Sequence, residues 1–147
     1  MITFNAIDIE IPPFSKELVS QWIYKVIKEE KKKAGQVFFL FTSDAFLFSM
    51  NESFLKHAYF TDVITFDTSE QSNIISGEIY ISLERVKENA EKLKKEFPEE
   101  FFRTLVHGVL HLIGYNDKTE KDILEMRTRE DEYLNVLFKG DSTLLFT

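Results

Sequence analysis

Two histidines four residues apart, His107 and His111, lie in the apolar segment HGVLHLIG and have the spacing of a metal-binding helix. Residues i and i+4 share one helix face, so both imidazoles can meet one ion. Gly114 can turn the chain sharply at the helix end, and we expect that turn to bring Asp117 to the same ion. Two imidazoles and one carboxylate leave a position for water, as in catalytic zinc sites. We therefore favour a metal site over a structural pair of core histidines.

The residue after the first histidine limits the chemistry of this site. In zinc proteases with this spacing it is a glutamate that acts as general base. Gly108 stands there instead and has no side chain to accept a proton. Metal-assisted phosphodiester hydrolysis depends less on such a base, because the ion lowers the pKa of a water molecule and neutralises phosphate charge. The residues thus favour nucleic-acid hydrolysis over a peptidase.

The composition is typical of one globular domain spanning residues 1–147, with 44% hydrophobic and 29% charged residues. The chain has no cysteine, so histidines and carboxylates must hold any metal. Its first residues do not resemble a signal peptide, and no apolar stretch approaches the roughly 20 residues that a membrane helix needs. We therefore expect a cytoplasmic protein without a membrane partner. The net charge of −7 disfavours a passive nucleic-acid binder. Two lysine-rich segments, at 25–33 and 85–95, are either basic surfaces or solvated helix faces.

Hydrophobic periodicity predicts the order β-α-β-α-β-β-α-α-α. This order indicates an α+β fold in which a small mixed four-stranded sheet is packed by about five helices, including a zincin-like metal helix. The apolar run VFFLFT at 37–42 is typical of a strand buried on both faces. Ser15, Ser43 and Ser82 are expected to cap helices. The remaining predicted elements are short strands at 2–4 and 7–11 or one strand with a break, strands at 62–66 and 74–82, a helix from about 98 to 114 and a helix from about 119 to 137.

Three stretches resemble one known family. The string HGVLHLIGY, followed by a helix with Met126 and Glu130, resembles the signature of the YbeY endoribonucleases, which are bacterial rRNA maturation factors. FTDVITF at 60–66 is similar to the upstream block of that family. SGEIYIS at 76–82 resembles its Gly-Asp-Ile strand, with Glu78 in place of the aspartate. The stretches follow the order of the family and span most of residues 51–130.

The resemblance implies a metal-dependent, single-strand-specific endoribonuclease that acts in 3′-end maturation of 16S rRNA and in ribosome quality control. The implied partners are single-stranded RNA and the small ribosomal subunit with its rRNA, and no DNA partner is expected. The implied cofactor is one Zn²⁺ ion, although another divalent metal is open. His107 and His111 carry over as ligands, and Asp117 stands where the family commonly has a third histidine.

A second departure from the family lies upstream, where Leu55 replaces an arginine suited to phosphate binding. Lys56 and His57 follow directly and are candidate catalytic residues, with His57 the only histidine left for acid–base work. Lys56 and Thr61 are candidate substrate-binding residues. His57 as a loop residue and Thr61 as a strand-entry residue are the alternatives. A non-catalytic ribosome-assembly module with a structural metal and a metallopeptidase remain the alternative functions.

Overall fold

The computed structural model describes residues 1–55 and 61–139. These residues form a mixed four-stranded sheet with the strand order β1-β2-β4-β3, in which β1, β2 and β4 are parallel and β3 is antiparallel to β4. With its five helices, this sheet confirms the predicted α+β fold. The elements are β1 (Ile2–Ala6), α1 (Lys16–Glu29), β2 (Lys33–Thr42), α2 (Asp44–Leu55), β3 (Val63–Asp67), β4 (Ile74–Ser82), α3 (Leu83–Lys92), α4 (Phe97–Ile113) and α5 (Glu120–Phe138).

The helix starts follow the local chemistry of the chain. Ser15, Ser43 and Ser82 each accept a hydrogen bond from a backbone N–H of the following first turn, as N-caps do. The predicted strand at 7–11 is wrong, and the first strand ends at Ala6. The chain bends at residues 7–9, and the Asp8 carboxylate there accepts hydrogen bonds from the backbone N–H and the hydroxyl group of Ser43.

The core lies between one face of the sheet and helices α1 and α4. In β2, Val37, Phe39 and Phe41 are fully buried, whereas Phe38 and Leu40 between them are half-buried. The expectation of a strand buried on both faces therefore holds fully for one face of 37–42 and only in part for the other. The other face of the sheet is covered in part by α2, whose Phe54 ring contacts Phe66 of β3. Within the described ranges, no helix combines the length and the apolar character that crossing a bilayer requires.

Helix α4 lies directly against β4 through two glycines. A Cβ atom at Gly108 would stand 2.6 Å from Ile79 Cγ2, and one at Gly77 would stand 2.8 Å from Leu112 Cδ2. Any larger side chain at either place would push the helix away from the sheet. This close contact also explains the missing glutamate, because a side chain at position 108 would point into β4.

Candidate metal centre

The three side chains assigned to a metal come together where α4 ends. The Nε2 atoms of His107 and His111 are 3.0 Å apart. Asp117 Oδ2 lies 3.3 Å from the Nε2 atom of His111 and 3.8 Å from that of His107. A tetrahedral zinc site with bonds of about 2.0–2.2 Å separates its ligand atoms by about 3.3–3.6 Å. The three atoms therefore have the chemistry and the spacing to hold one divalent ion, and they form the one such group within residues 1–55 and 61–139.

The hydrogen bonds of the two imidazoles leave the Nε2 atoms available. His111 Nδ1 lies 3.0 Å from the carbonyl oxygen of Tyr115, which can only accept, so the Nδ1 atom donates its proton there. His107 Nδ1 lies 2.6 Å from Glu130 Oε2 and donates to that carboxylate. In both neutral rings the proton is thus on Nδ1, and the two Nε2 atoms, which face each other, are the nitrogens that can bind an ion.

A sharp turn after α4 places the carboxylate. Gly114 has a φ of 128°, a conformation that residues with a side chain rarely adopt. The N–H groups of Gly114 and Tyr115 both donate to the carbonyl oxygen of Leu110, which closes the helix end. The turn expected from the sequence is confirmed, and the chain that follows it returns Asp117 to the histidines.

The loop after this turn is anchored to the end of α1. The hydroxyl group of Tyr115 donates to Glu30 Oε1 at 2.7 Å and accepts from Arg129 Nε at 3.1 Å. The hydroxyl group of Tyr133 on α5 donates to the other oxygen of Glu30. Glu30 therefore joins α1, the loop and α5, and it holds the residue whose carbonyl oxygen orients His111.

A buried ion-pair network supports His107 from the other side. Glu130 is 4% exposed, and its second oxygen accepts from Arg103 Nη1 at 2.9 Å. Arg103 is also buried, and its Nη2 atom donates to Asp131 at 2.6 Å. Arg103 and His107 are four residues apart on α4, and the acidic partners lie on α5. The network thus joins the two helices and fixes the orientation of the His107 ring.

The surroundings set opposite pKa shifts in the two histidines. Burial alone lowers the pKa of His107, but the hydrogen bond and the charge of Glu130 outweigh it, so that the pKa lies above its ordinary value. Burial and the neighbouring His107 lower the pKa of His111. Burial raises the pKa of Glu130, yet His107 and Arg103 together hold it below the ordinary value. Glu130 is consequently a carboxylate that accepts from both neighbours.

Two cavities flank the candidate ligands and share Asp62, His107 and Asp117. The α5-side cavity, of about 270 Å³, is also lined by Glu100, Arg103, Thr104, Met126 and Arg127. The β3-side cavity, of about 280 Å³, is also lined by Asn51, Leu55, Thr61, Thr65 and His111. The ligand atoms therefore lie in a cleft that is open on two sides.

Of the other candidate residues, Thr61 is among the described residues, and Lys56 and His57 are not. Thr61 lies on the wall of the β3-side cavity, where its hydroxyl group donates to the Val63 carbonyl oxygen at 3.4 Å. This position agrees with both the substrate-binding and the strand-entry interpretations. Lys56 and His57 lie outside the described residues, so their catalytic and binding roles stay predictions.

Sequence reasoning missed the partners that support the ligands. Glu130 lies on a helix face with the apolar residues Met126 and Leu134, so a charged residue at a position expected to be buried was a signal that could have identified it. Arg103 shares its face with Glu100 and His107 and gave a weaker signal. Glu30 and Asp62 offered no such signal. Glu30 lies within the lysine-rich stretch at 25–33, and for Asp62, in the block FTDVITF, strand entry and catalysis were both open.

Known proteins are similar to this chain over most of its length. The sequence profile described as Endoribonuclease YbeY matches residues 1–137. A protein named Endoribonuclease YbeY from Flavobacterium psychrophilum is 44% identical over 137 residues, covering 92% of this chain and 96% of that protein. One of the same name from Karelsulcia muelleri is 45% identical over 120 residues, covering 82% of this chain and 84% of that protein.

One solved structure resembles the fold throughout. The solution structure of TM1509 from Thermotoga maritima superimposes with a TM-score of 0.69 and 24% identity, covering 97% of this chain and 93% of that one. At this identity the similarity supports the α+β fold alone. The family is shown instead by the profile match over 137 residues and by the identities above 40% to the two relatives. The chain belongs to the YbeY endoribonuclease family.

Proposed function

We propose that this protein is a metal-dependent endoribonuclease that cleaves single-stranded RNA. The observation that carries the proposal is the convergence of His107 Nε2, His111 Nε2 and Asp117 Oδ2 in an open cleft, with both Nδ1 atoms already engaged. A divalent ion held there would supply Lewis-acid stabilisation of phosphate charge and a water molecule of lowered pKa. Zinc suits two imidazoles and one carboxylate best.

The side chains around the ligands have distinct roles in this proposal. Glu130 and the Tyr115 carbonyl oxygen hold the two imidazoles in the tautomer that presents Nε2. Asp117 adds a negative charge in place of a neutral imidazole, which makes the bound water less acidic than three histidines would. The cleft on both sides of the ligands provides space for a strand to pass.

Gly108 supports RNA rather than peptide as the substrate. A peptidase of the related spacing needs a glutamate at this position. The contact with Ile79 leaves no room for that side chain. We extend the proposal, following the family, to 16S rRNA 3′-end maturation and ribosome quality control, with the small ribosomal subunit as partner in the cytoplasm.

Metal content and cleavage test the proposal together. Untagged protein and its Asp117→Ala variant are analysed by mass spectrometry, and we expect about one equivalent of zinc that is reduced in the variant. A labelled single-stranded RNA is then incubated with the wild type, the chelated protein and His111→Ala. We expect cleavage by the wild type alone, restored to the chelated protein by zinc, and weak or no cleavage of a duplex.

Other outcomes would reject the proposal in defined ways. Cleavage that survives in His111→Ala protein free of host ribonucleases would exclude the metal site as its source. One equivalent of zinc without cleavage under any divalent metal would favour the assembly module. Cleavage of casein by protein free of host proteases would favour the peptidase.

A further inference from the structure

The α5-side cavity contains a cation that forms no ion pair with any acidic side chain the structure describes, although Glu100 lies near enough to feel its charge. Arg127 is exposed on α5 and lines this cavity beside His107 and Asp117. It makes no ion pair within 4.0 Å with any residue that the structure describes. Arg103, the other arginine of the cavity, is engaged by Glu130 and Asp131. The described lining of the β3-side cavity includes neither lysine nor arginine. Arg127 is thus available to bind a phosphate close to the candidate ligands.

The same cavity has a buried carboxyl group with an unused oxygen. Glu100 is 6% exposed, and its Oε2 atom has no hydrogen-bond partner among the described protein atoms. The Nε atom of Arg103 is likewise buried without a partner. Such unsatisfied groups are rare because each loses its hydrogen bonds to water on burial. Both residues line the α5-side cavity, so a polar ligand there would lie beside two groups that lack hydrogen-bond partners.

The surroundings of Glu100 favour the protonated form of its carboxyl group. Burial raises the pKa of its carboxyl group, and the charge of Asp62 raises it further, against the opposing effect of Arg103. A carboxyl group that keeps its proton can both donate and accept a hydrogen bond, and it repels a phosphate less than a carboxylate does.

We propose that the α5-side cavity is a subsite for one nucleotide of a single-stranded RNA, in which Arg127 binds the phosphate and Glu100 hydrogen-bonds the sugar or base. The proposal rests on the proposed function, because it takes RNA as the ligand. The cavity volume of about 270 Å³ is near the lower end for small-molecule sites, about 300 Å³. The subsite adjoins the ligands through His107 and Asp117, so that a nucleotide bound there positions its neighbour over the ion.

RNA binding without metal tests the role of Arg127. Fluorescence anisotropy of a mixed-sequence single-stranded RNA is measured with chelated full-length protein at several salt concentrations. Arg127→Gln is compared with Lys121→Gln, which removes the same charge from α5 outside the cavity. For Arg127→Gln we expect weaker binding and a salt slope reduced by about 0.7, the contribution of one phosphate contact to single-stranded RNA. Equal slopes in the two variants would overturn the proposal.

The role of Glu100 is tested with an apolar and a polar replacement. Glu100→Met removes an unsatisfied polar group from the interior, so we expect a melting temperature at or above that of the wild type. We also expect RNA affinity to fall by about two- to tenfold, the value of one hydrogen bond. Glu100→Gln keeps a donor and an acceptor and should restore most of the affinity. Unchanged RNA affinity in Glu100→Met, with the fold intact, would overturn the role.

The two measurements, RNA binding and RNA cleavage, test the subsite and the proposed function independently. Binding is measured with metal removed, whereas cleavage is measured after zinc is restored. Loss of the Arg127 and Glu100 effects with cleavage intact would reject only the subsite. Clear binding effects with no cleavage under any metal would support the subsite and reject the ribonuclease.

Discussion

At the scale of single residues, the support of His107 decides whether the site can hold an ion. Glu130 faces His107 with one oxygen and Arg103 with the other, and all three side chains are at least largely buried. A neutral residue of similar shape in place of Glu130 can keep the packing, but it removes the negative charge that orients the His107 ring. Removal of the whole side chain would instead leave a buried arginine without this partner, which is strongly destabilising.

We therefore expect Glu130→Gln to lower zinc affinity by about 10- to 100-fold, as is typical for the loss of a hydrogen-bonded partner of a ligand. Affinity is measured by competition with a chromophoric chelator, and circular dichroism checks the fold. Asp131→Asn is the matched control, since it removes the neighbouring charge on α5 without touching His107. Equal losses of affinity in the two variants would contradict the prediction.

Glu100 predicts a pH dependence of stability. Burial raises the pKa of its carboxyl group, and the charged groups that face it are Asp62, Lys95, Arg103 and Arg127. The folded state thus binds the proton more tightly than the unfolded state, so the contribution of Glu100 to stability is full below about pH 4 and falls as the pH rises through the folded-state pKa.

Glu100→Gln cannot titrate and isolates this effect. Urea unfolding of chelated wild type and variant is measured from pH 4 to pH 8. We expect the variant to gain stability relative to the wild type as the pH rises. A difference that does not change with pH would show that the carboxyl group titrates equally in the folded and unfolded states.

At the scale of elements, the loop between α4 and α5 depends on α1 for its position. The phenol of Tyr115 contacts Glu30 at the end of α1 and Arg129 on α5, while its backbone carbonyl oxygen holds His111. Motion of α1 relative to α4 would therefore change the orientation of a candidate ligand.

Tyr115→Phe removes the hydroxyl group and leaves the carbonyl oxygen. We expect a loss of stability of about 1 kcal/mol, the usual value of one hydrogen bond, and a severalfold loss of zinc affinity because the loop is less well held. Tyr133→Phe is the control, since Tyr133 donates to the same Glu30 but lies outside the loop. It should lose similar stability and keep its zinc affinity. A matching loss of affinity in both variants would refute a specific role of the loop.

At the scale of the whole molecule, the candidate ligands belong to two consecutive segments, α4 and the loop that leads to α5. An ion that binds the folded protein and not the unfolded chain stabilises it by about 2.7 kcal/mol at 100 times its Kd. For a chain of this length, that gain raises the melting temperature by about 5–10 °C.

We expect this rise on addition of zinc to chelated protein, and a smaller one with magnesium, which prefers oxygen ligands in octahedral geometry. Differential scanning fluorimetry with and without each ion measures the effect. Asp117→Ala should lose most of the zinc-dependent rise. A zinc shift of undiminished size in that variant would exclude Asp117 as a ligand.

Local sequence patterns account for the order of the elements and for the geometry around the histidines. A spacing of four residues puts His107 and His111 on one helix face wherever the helix lies, and Gly114 turns the chain at its end. The helix caps at Ser15 and Ser82 are equally local, because donor and acceptor are three residues apart. These features depend on neighbours within one or two turns and could therefore be read from the sequence by itself.

Only the tertiary structure decided which residues support these ligands. Glu130 meets His107 across 23 residues, and Glu30 meets Tyr115 across 85. The role of Gly108 likewise depends on its contact with Ile79 of β4. Periodicity indicates that a helix face is buried but does not specify which distant side chain packs against it. That choice follows from how the sheet and the helices pack together.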